Sequence, residues 1–428
     1  MPTLSSGKTM TGSIDRRQAI PLLVGVALLA ISPLPWAGAL PGPALTSLAP
    51  YPLPLHNGVA GSRPVAPSAL TPSGATAAAT DANLSVPVGS EPVGIVADPS
   101  DGQVYVVNYG SGNVTVISDA TEHVVVASLP VGTFPWGAAL DATHDVVYVA
   151  NGGSNDLTML RAGSSPAVIG SVPVGTSPVA LAVDPVHGQL FVTNGGSDNL
   201  TVVATTTGKV SVPSIPVGLG PDGIAYDPLN GYLYVANGGG RNLTVVNSAT
   251  DKVVLPSLKV GANPSAVVFD PANGQLYVAN SGSNDVTVVN GTSNTVAVAA
   301  IPVGLAPEGL AFDSANGNVY VADTNSGNVT VIDGATNQVV AELSVGQAPF
   351  QVAFDSANGL VYVTDEGSDA VKVLGVAAPG GQTQGPKAAP PPLPWLPLFL
   401  VGAGAVAAAV VARGLLRRTA HPPPSSPP

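Results

Sequence analysis

The sequence contains no cysteine, only five histidines and few charged residues. The lack of cysteine excludes disulfide frameworks, thiolate nucleophiles, Cys-ligated zinc and iron–sulfur clusters. Charged residues make up 9% of the 428 positions, against about a quarter in an ordinary soluble domain. The 50 glycines and 43 prolines argue against long helical bundles. Glycine, proline and uncharged polar residues must therefore cover much of the surface.

Positive charge is scarce and unevenly distributed. Residues 81–376 contain 25 acidic and six basic side chains, a net charge of −19, whereas the whole chain carries −12. Nucleic-acid binding requires clustered Lys and Arg, so nucleic acid is not expected as a partner. An acidic centre between basic ends is typical of an exterior domain that is tethered to a membrane.

The amino end has the three parts of a secretory signal. A segment with three basic residues precedes an apolar run over residues 19–31, and the small residues Ala37-Gly38-Ala39 follow. This order predicts a signal peptide over residues 1–40. An uncleaved N-terminal membrane segment is the alternative, although the run is shorter than the roughly 20 residues that span a bilayer.

The carboxyl end predicts a membrane anchor. Residues 393–412 carry no charge and are followed by Arg413, Arg417 and Arg418, which predicts a transmembrane helix with a cytoplasmic tail over residues 413–428. A sorting signal that is cut and transferred has the same outline, but no recognisable cleavage motif precedes the span. Residues 41–81 and 377–392, rich in Pro with Ala, Ser or Gly, are predicted linkers.

Seven repeats occupy residues 82–376. A Val-Gly pair recurs every 42 or 43 residues, and an aspartate, an aromatic residue and an Asn or Asp recur in step with it. Within each unit short β-rich runs alternate with turn sequences such as Asp270-Pro-Ala-Asn-Gly274. Four short strands per 40–45 residues are the signature of a propeller blade. We therefore predict an all-β, seven-bladed β-propeller.

Short motifs within these repeats resemble a known family. Phe191-Val-Thr-Asn194, Tyr362-Val-Thr-Asp365 and four Tyr-Val-Ala-Asn/Asp copies are similar to the YVTN β-propeller repeat. That family is known from surface-layer and other cell-surface proteins of archaea and bacteria, so the resemblance implies a propeller of that type. It does not fix the function, because propellers serve as enzymes, receptors and scaffolds.

The ends of the repeat region predict how the ring closes. The seventh unit supplies only three strands before the second linker begins, and residues 84–88 are an isolated copy of the strand that ends every other unit. We expect this N-terminal strand to complete the last blade. Such a closure removes exposed sheet edges without a covalent bond.

The sequence gives no sign of catalytic chemistry. The aspartate of each repeat is interpreted as a turn residue, because one active site does not need a copy in every blade and the carboxylate accepts local backbone N–H groups. The histidines are too scattered for a metal cluster. No Ser-His-Asp order, phosphate loop or calcium-loop motif is present. We predict no catalytic residue, no metal and no cofactor.

Asn-x-Ser/Thr sequons offer possible modification sites. Four of them share one repeat position, where other units carry Asp156, Asp285 or Ala370. Two interpretations stay open: glycosylation of an exported protein, or merely the third-strand consensus of the family. The sequons begin at Asn83, Asn113, Asn199, Asn242, Asn290 and Asn328.

The repeats vary on both sides of an invariant proline in the loop that leads into the first strand. These loops should ring one mouth of the central channel, so a binding site is expected there, with drift at an exposed loop as the alternative. Aromatic faces beside carboxylates suit a sugar, a cationic group or a metal-bridged polar ligand. The candidate ligand-binding residues are Glu91, Phe134, Trp136, Asp222, Glu308 and Phe350.

These patterns together predict a non-enzymatic propeller anchored at the cell surface, with the propeller outside. It would act as an interaction, adhesion or surface-layer-like envelope module. Its expected partners are the membrane, through the C-terminal helix, and an envelope protein or glycan. The alternatives are an extracytoplasmic lactonase- or lyase-like propeller enzyme and a pure lattice or spacer component.

Overall fold

The computed structural model describes residues 84–375. No helix within that range is long and apolar enough to cross a membrane. The predicted signal peptide, the first linker, propeller residues 82, 83 (the sequon residue Asn83) and 376, and the second linker, span and tail lie outside the described residues. The described residues form seven four-stranded antiparallel sheets, the blades of an all-β propeller.

Each blade runs from an innermost strand at the channel to an outermost strand at the rim. The innermost strands are β2 (Pro92–Asp98), β6 (Pro135–Asp141), β10 (Pro178–Asp184), β14 (Pro221–Asp227), β18 (Pro264–Asp270), β22 (Pro307–Asp313) and β26 (Pro349–Asp355). The second strands are β3 (Gln103–Asn108), β7 (Val146–Asn151), β11 (Gln189–Asn194), β15 (Tyr232–Asn237), β19 (Gln275–Asn280), β23 (Asn318–Asp323) and β27 (Leu360–Asp365).

The outer half of each blade completes the sheet. The third strands are β4 (Asn113–Ser118), β8 (Asp156–Arg161), β12 (Asn199–Ala204), β16 (Asn242–Asn247), β20 (Asp285–Asn290), β24 (Asn328–Asp333) and β28 (Ala370–Leu374). The outermost strands are β1 (Leu84–Pro87), β5 (His123–Pro130), β9 (Ala167–Pro173), β13 (Lys209–Pro216), β17 (Lys252–Lys259), β21 (Thr295–Pro302) and β25 (Gln338–Ser344). Two short 3₁₀ turns, Gly238–Gly240 and Glu366–Ser368, lie between second and third strands.

Small residues let the innermost strands form a closed ring. Each innermost strand contacts the next, and β26 contacts β2. The backbones approach so closely that a Cβ at Gly94 would overlap the Trp136 carbonyl oxygen, and one at Gly137 would overlap that of Val179. Only a residue without a side chain fits at such a contact.

Apolar cores lie between neighbouring blades. Seven buried clusters each combine residues of two adjacent blades, and the aromatic residue of the repeat is at their centre. The tyrosine hydroxyls also connect blades: Tyr234 Oη donates to Asn294 Oδ1 of the next blade at 2.6 Å, and Tyr277 Oη to Asn337 Oδ1 at 2.7 Å. The aromatic position is thus a structural one.

The repeated aspartates have the turn role that the sequence predicts. In each blade Oδ1 of the aspartate that ends the innermost strand accepts a hydrogen bond of 2.8–3.1 Å from the backbone N–H two residues later. These residues are Asp98, Asp141, Asp184, Asp227, Asp270, Asp313 and Asp355.

The last blade closes as predicted. β1 pairs antiparallel with β28, with Leu84 opposite Val373 and Pro87 opposite Ala370. The sheet order is therefore β1, β28, β27, β26. Val86 is 4% exposed and belongs to the core between the seventh and first blades, whereas Leu84 in the same strand is 42% exposed.

A charge at Val86 should break this closure. We expect Val86→Asp to lower the free energy of unfolding by about 3 kcal/mol or more, because it buries an unpaired carboxylate. Leu84→Asp is the matched control, and it should change stability by less than about 0.5 kcal/mol. Urea unfolding of the propeller measures both. Equal losses in the two variants would contradict the closing role of β1.

The seam between the seventh and first blades is acidic at the end opposite the candidate mouth. Tyr362 Oη donates to Glu122 Oε1 at 2.9 Å, where other seams have the amides of Asn294 and Asn337. The pKa of Glu122 is raised to about 7: burial is the main cause, the Tyr362 hydrogen bond opposes it, and the charges of Asp119 and Asp355 add to the rise.

Stability should therefore fall as the pH rises. The pKa of Glu122 is above its unfolded value, so its contribution is complete at acid pH and is lost as the pH rises from about 4.5 to about 7. Glu122→Gln keeps an acceptor for Tyr362 but cannot ionise. We expect it to narrow the difference in unfolding free energy between pH 5 and pH 8 by about 1 kcal/mol. Chemical denaturation at both pH values, with Glu91→Gln as control, tests this; an unchanged difference in Glu122→Gln would contradict it.

Candidate functional site

A β-bulge at the start of each innermost strand directs one side chain towards the channel. In the first blade Pro92 pairs with Asn108 and Gly94 with Val107, which leaves Val93 unpaired. The register shifts directly after the proline in the other six blades as well. Bulges commonly re-aim side chains near functional sites. The residues after the seven prolines line the channel: Val93, Trp136, Val179, Asp222, Ser265, Glu308 and Phe350.

One side of this ring is aromatic. Trp136 contacts Phe350 edge-to-face with ring centroids 5.6 Å apart, and Tyr109 contacts Trp136 in the same way at 5.3 Å. Tyr109 also stacks on Phe134 at 5.2 Å. The first, second and seventh blades thus contribute one continuous aromatic cluster at the mouth.

Phe134 shares its backbone conformation with the same position of other blades. Its φ is 49°, in the left-handed region, as it also is at Glu91, Ser177, Asn263 and Ala306. The conformation therefore belongs to the loop of the repeat, and what sets Phe134 apart is its large ring, with the residue 57% exposed. The exposed ring extends the aromatic cluster out of the channel.

A groove of about 510 Å³ runs from this cluster across the second and third blades to Asp222. Gly152 and Gly195 line it at the position after the second-strand Asn or Asp, where the first, fifth, sixth and seventh blades carry the side chains of Tyr109, Ser281, Thr324 and Glu366. The volume lies within the range of small-molecule sites, about 300–1,000 Å³.

The opposite side of the ring is acidic. Burial, with a smaller contribution from the charge of nearby Glu308, raises the pKa of Asp222 to about 7. The pKa of Glu308 is also raised to about 7, because burial outweighs the opposing effect of the Ser281 and Ser265 hydroxyls. No Lys, Arg or His is among the residues that line the groove or the channel. The ring therefore has an aromatic half and an acidic half.

The structure brings five of the six predicted site residues together. Trp136, Asp222, Glu308 and Phe350 line the channel, and Phe134 lines the groove. Glu91 lies apart from both. It is exposed, and its backbone N–H donates to Asp369 Oδ1 at 2.9 Å.

The prediction missed Tyr109 and Ser281. Both occupy the position after the second-strand Asn, where Gly is found in the second, third and fourth blades. Comparison of the repeats at that position would have found them.

Four sequon asparagines lie at the start of third strands: Asn113, Asn199, Asn242 and Asn328. Asn113 Oδ1 accepts a hydrogen bond of 2.8 Å from Asn108 Nδ2, which also donates to the sequon hydroxyl of Thr115 at 3.0 Å. Asp156 accepts from Asn151 in the same way. The Asn-x-Thr pattern thus has a role inside the blade. Asn290 lies instead at the end of β20, where its Oδ1 accepts from Ser293. Whether any sequon carries a glycan stays a prediction.

The histidines have local partners. His144 Nδ1 lies 2.6 Å from Asp141 Oδ2, and His187 Nδ1 lies 2.7 Å from Asp184 Oδ2. Residues 84–375 contain no group of three or more His, Cys, Asp or Glu side chains that could hold a metal ion.

A family model supports this architecture. The model of the YNCE-like β-propeller matches residues 149–387, more than half of the chain. The chain belongs to the YNCE-like β-propeller family. This is a family of YVTN type, so the resemblance of the repeats is confirmed at that level.

Comparison of this YNCE-like propeller with solved structures shows a shared fold and nothing beyond it. Hydrazine synthase from Kuenenia stuttgartiensis is similar, with a TM-score of 0.59 and 20% identity over 66% of this chain and 95% of that one. At that identity the likeness is one of fold. The search of curated proteins gives no match.

Proposed function

We propose that this YNCE-like propeller is a non-enzymatic, cell-surface-anchored module that captures a small ligand at one mouth of its channel. The observation that carries the proposal is the two-sided ring, in which an aromatic cluster and the Asp222–Glu308 carboxyl pair line the channel and Asp222 also faces the groove beside the aromatic cluster. A few polar groups beside apolar walls are typical of small-molecule sites.

The form of the groove supports capture. Its walls come from loops on a closed β-scaffold, and such scaffolds commonly carry binding residues on their loops. Trp136, Asp222 and Glu308 come from three different blades, so the site exists only in the closed ring. An interaction, adhesion or surface-layer-like role at the envelope would use this site for an envelope glycan or another small polar molecule.

Replacement of Trp136 tests capture. A panel of envelope glycans and small polar molecules, screened by the shift in melting temperature, should contain a ligand for the wild type. Trp136→Ala should weaken its binding by about tenfold or more, because it removes the central aromatic face. Leu219→Ala is the control, since Leu219 is 62% exposed and lines neither cavity. Absence of binding across the panel would contradict capture and favour a lattice role.

The location at the cell surface is part of the same proposal. It rests on the signal-like residues 1–40 and the uncharged residues 393–412 of the sequence.

Protease treatment of intact cells tests this orientation. The propeller should be accessible to the protease, while an epitope tag after residue 428 should be protected because the positive-inside rule places that end in the cytoplasm. Permeabilised cells are the control and should lose the tag as well. A protected propeller with an accessible tag would contradict the orientation.

A further inference from the structure

We propose that the captured ligand is an organic amine, with its ammonium group at the acidic half of the ring and its apolar body on the aromatic half. This inference rests on the proposed function and names the chemical class of ligand for the same site. The acidic half is defined by Asp222, Ser265, Ser281 and Glu308.

The charge of the acidic half has no counterion among the described residues that line the channel. Asp222 and Glu308 both face the channel, and no basic side chain lines it. Among the described residues the one lysine in an ion pair is Lys372, beside Asp365. Two carboxylates in a confined space repel each other unless one is protonated or a cation lies between them. A ligand cation would supply the missing charge.

Asp222 also lacks a hydrogen-bond donor. No described residue donates a hydrogen bond to its carboxyl group, whereas Asp227, at the other end of the same strand, accepts one from the Leu229 backbone at 2.8 Å. Asp222 is half-buried and lines both the groove and the channel, so its carboxyl oxygens are accessible to the hydrogen-bond donors of a ligand. An ammonium group has three donors and no acceptor, which matches the oxygens of two carboxylates and the nearby serine hydroxyls.

The aromatic half begins next to the acids. Phe350 belongs to the seventh blade and Glu308 to the sixth, so the two bulge residues are neighbours in the ring. Phe350 contacts Trp136, whose ring also lines the groove. An ammonium group at Glu308 would therefore lie near an aromatic ring, with a favourable cation–π attraction, and the apolar remainder could follow the cluster outward.

The electrostatic field of the whole propeller also favours a cationic ligand. The six basic and 25 acidic residues between positions 81 and 376 attract cations and repel anions over distances of about a Debye length. Phosphates and carboxylates are thus disfavoured as ligands of this mouth.

Binding of a cation at this site should release protons. Asp222 and Glu308 both have a pKa of about 7, so each is largely protonated at pH 5 and largely ionised at pH 8. A cation binds the ionised form, and its affinity should rise with pH across that interval and then level off. A neutral sugar would show no such rise.

Titration calorimetry with three probes tests the inference. The probes are phenethylamine, its neutral isostere 2-phenylethanol and the neutral disaccharide maltose, each near pH 5 and near pH 8. Phenethylamine should bind about tenfold or more tighter at the higher pH, and its binding should release protons near pH 5 but few near pH 8, where both acids are already ionised. Two buffers of different ionisation enthalpy measure that release. The two neutral probes should bind weakly at both pH values.

Variants of the acids assign the subsite. Asp222→Asn and Glu308→Gln should each weaken phenethylamine binding about tenfold or more at the higher pH and flatten its pH dependence. Glu91→Gln is the matched control, because Glu91 is an exposed acid near the mouth that lines neither cavity. A melting curve for each variant checks the fold. Asp222→Asn should melt no lower than the wild type near pH 8, since it removes an unneutralised charge.

The outcomes separate this inference from capture itself. Binding of maltose or 2-phenylethanol that depends on Trp136, without binding of phenethylamine, would overturn the amine while capture stands. The amine would also be overturned if the affinity for phenethylamine did not change with pH, or did not fall in the Asp222→Asn and Glu308→Gln variants. If none of the three probes binds, the assignment of the ligand as an amine is overturned. The ligand panel with the Trp136→Ala variant then tests separately whether the site captures a small ligand.

Discussion

The structure depends on the close approach of seven innermost strands around one channel. At Gly94 and Gly137 the backbone of one blade lies against the carbonyl of the next, with no space for a side chain. This contact sets the distance between blades, and hence the space that the tyrosine or phenylalanine of each second strand fills. It also places the residues after the seven prolines around a narrow channel, where a change at one position alters the surroundings of the others.

The repeat made the fold predictable from sequence. Asp270 with its turn, Tyr277 in the core and the strand that begins at Leu84 each have the predicted role, because local turn chemistry and the hydrophobic pattern recur in every unit. Repetition also indicates which blades are neighbours. The ring order of Trp136, Asp222 and Glu308 was therefore implicit in their repeat numbers.

What the sequence did not reveal depends on contacts between units. Tyr109 joins the aromatic cluster across a blade boundary, and Glu122 of the first blade meets Tyr362 of the last. Glu91 was predicted at the site because it precedes an invariant proline, as Phe134 does, but it lies apart from the groove. Its neighbours are loop residues of its own and the last blade, such as Asp369. Side-chain direction at these loops follows from backbone geometry that a repeat alignment does not contain.

The pairing of β1 with β28 has a mechanical consequence. Leu84, where the described chain enters the propeller, lies opposite Val373, near where it leaves. A force that pulls these two points apart would act on one antiparallel strand pair and load its hydrogen bonds one after another rather than all together. The first blade to open under tension would be the seventh, by peeling of four residues, Leu84–Pro87, while the covalently continuous blades still held their sheets.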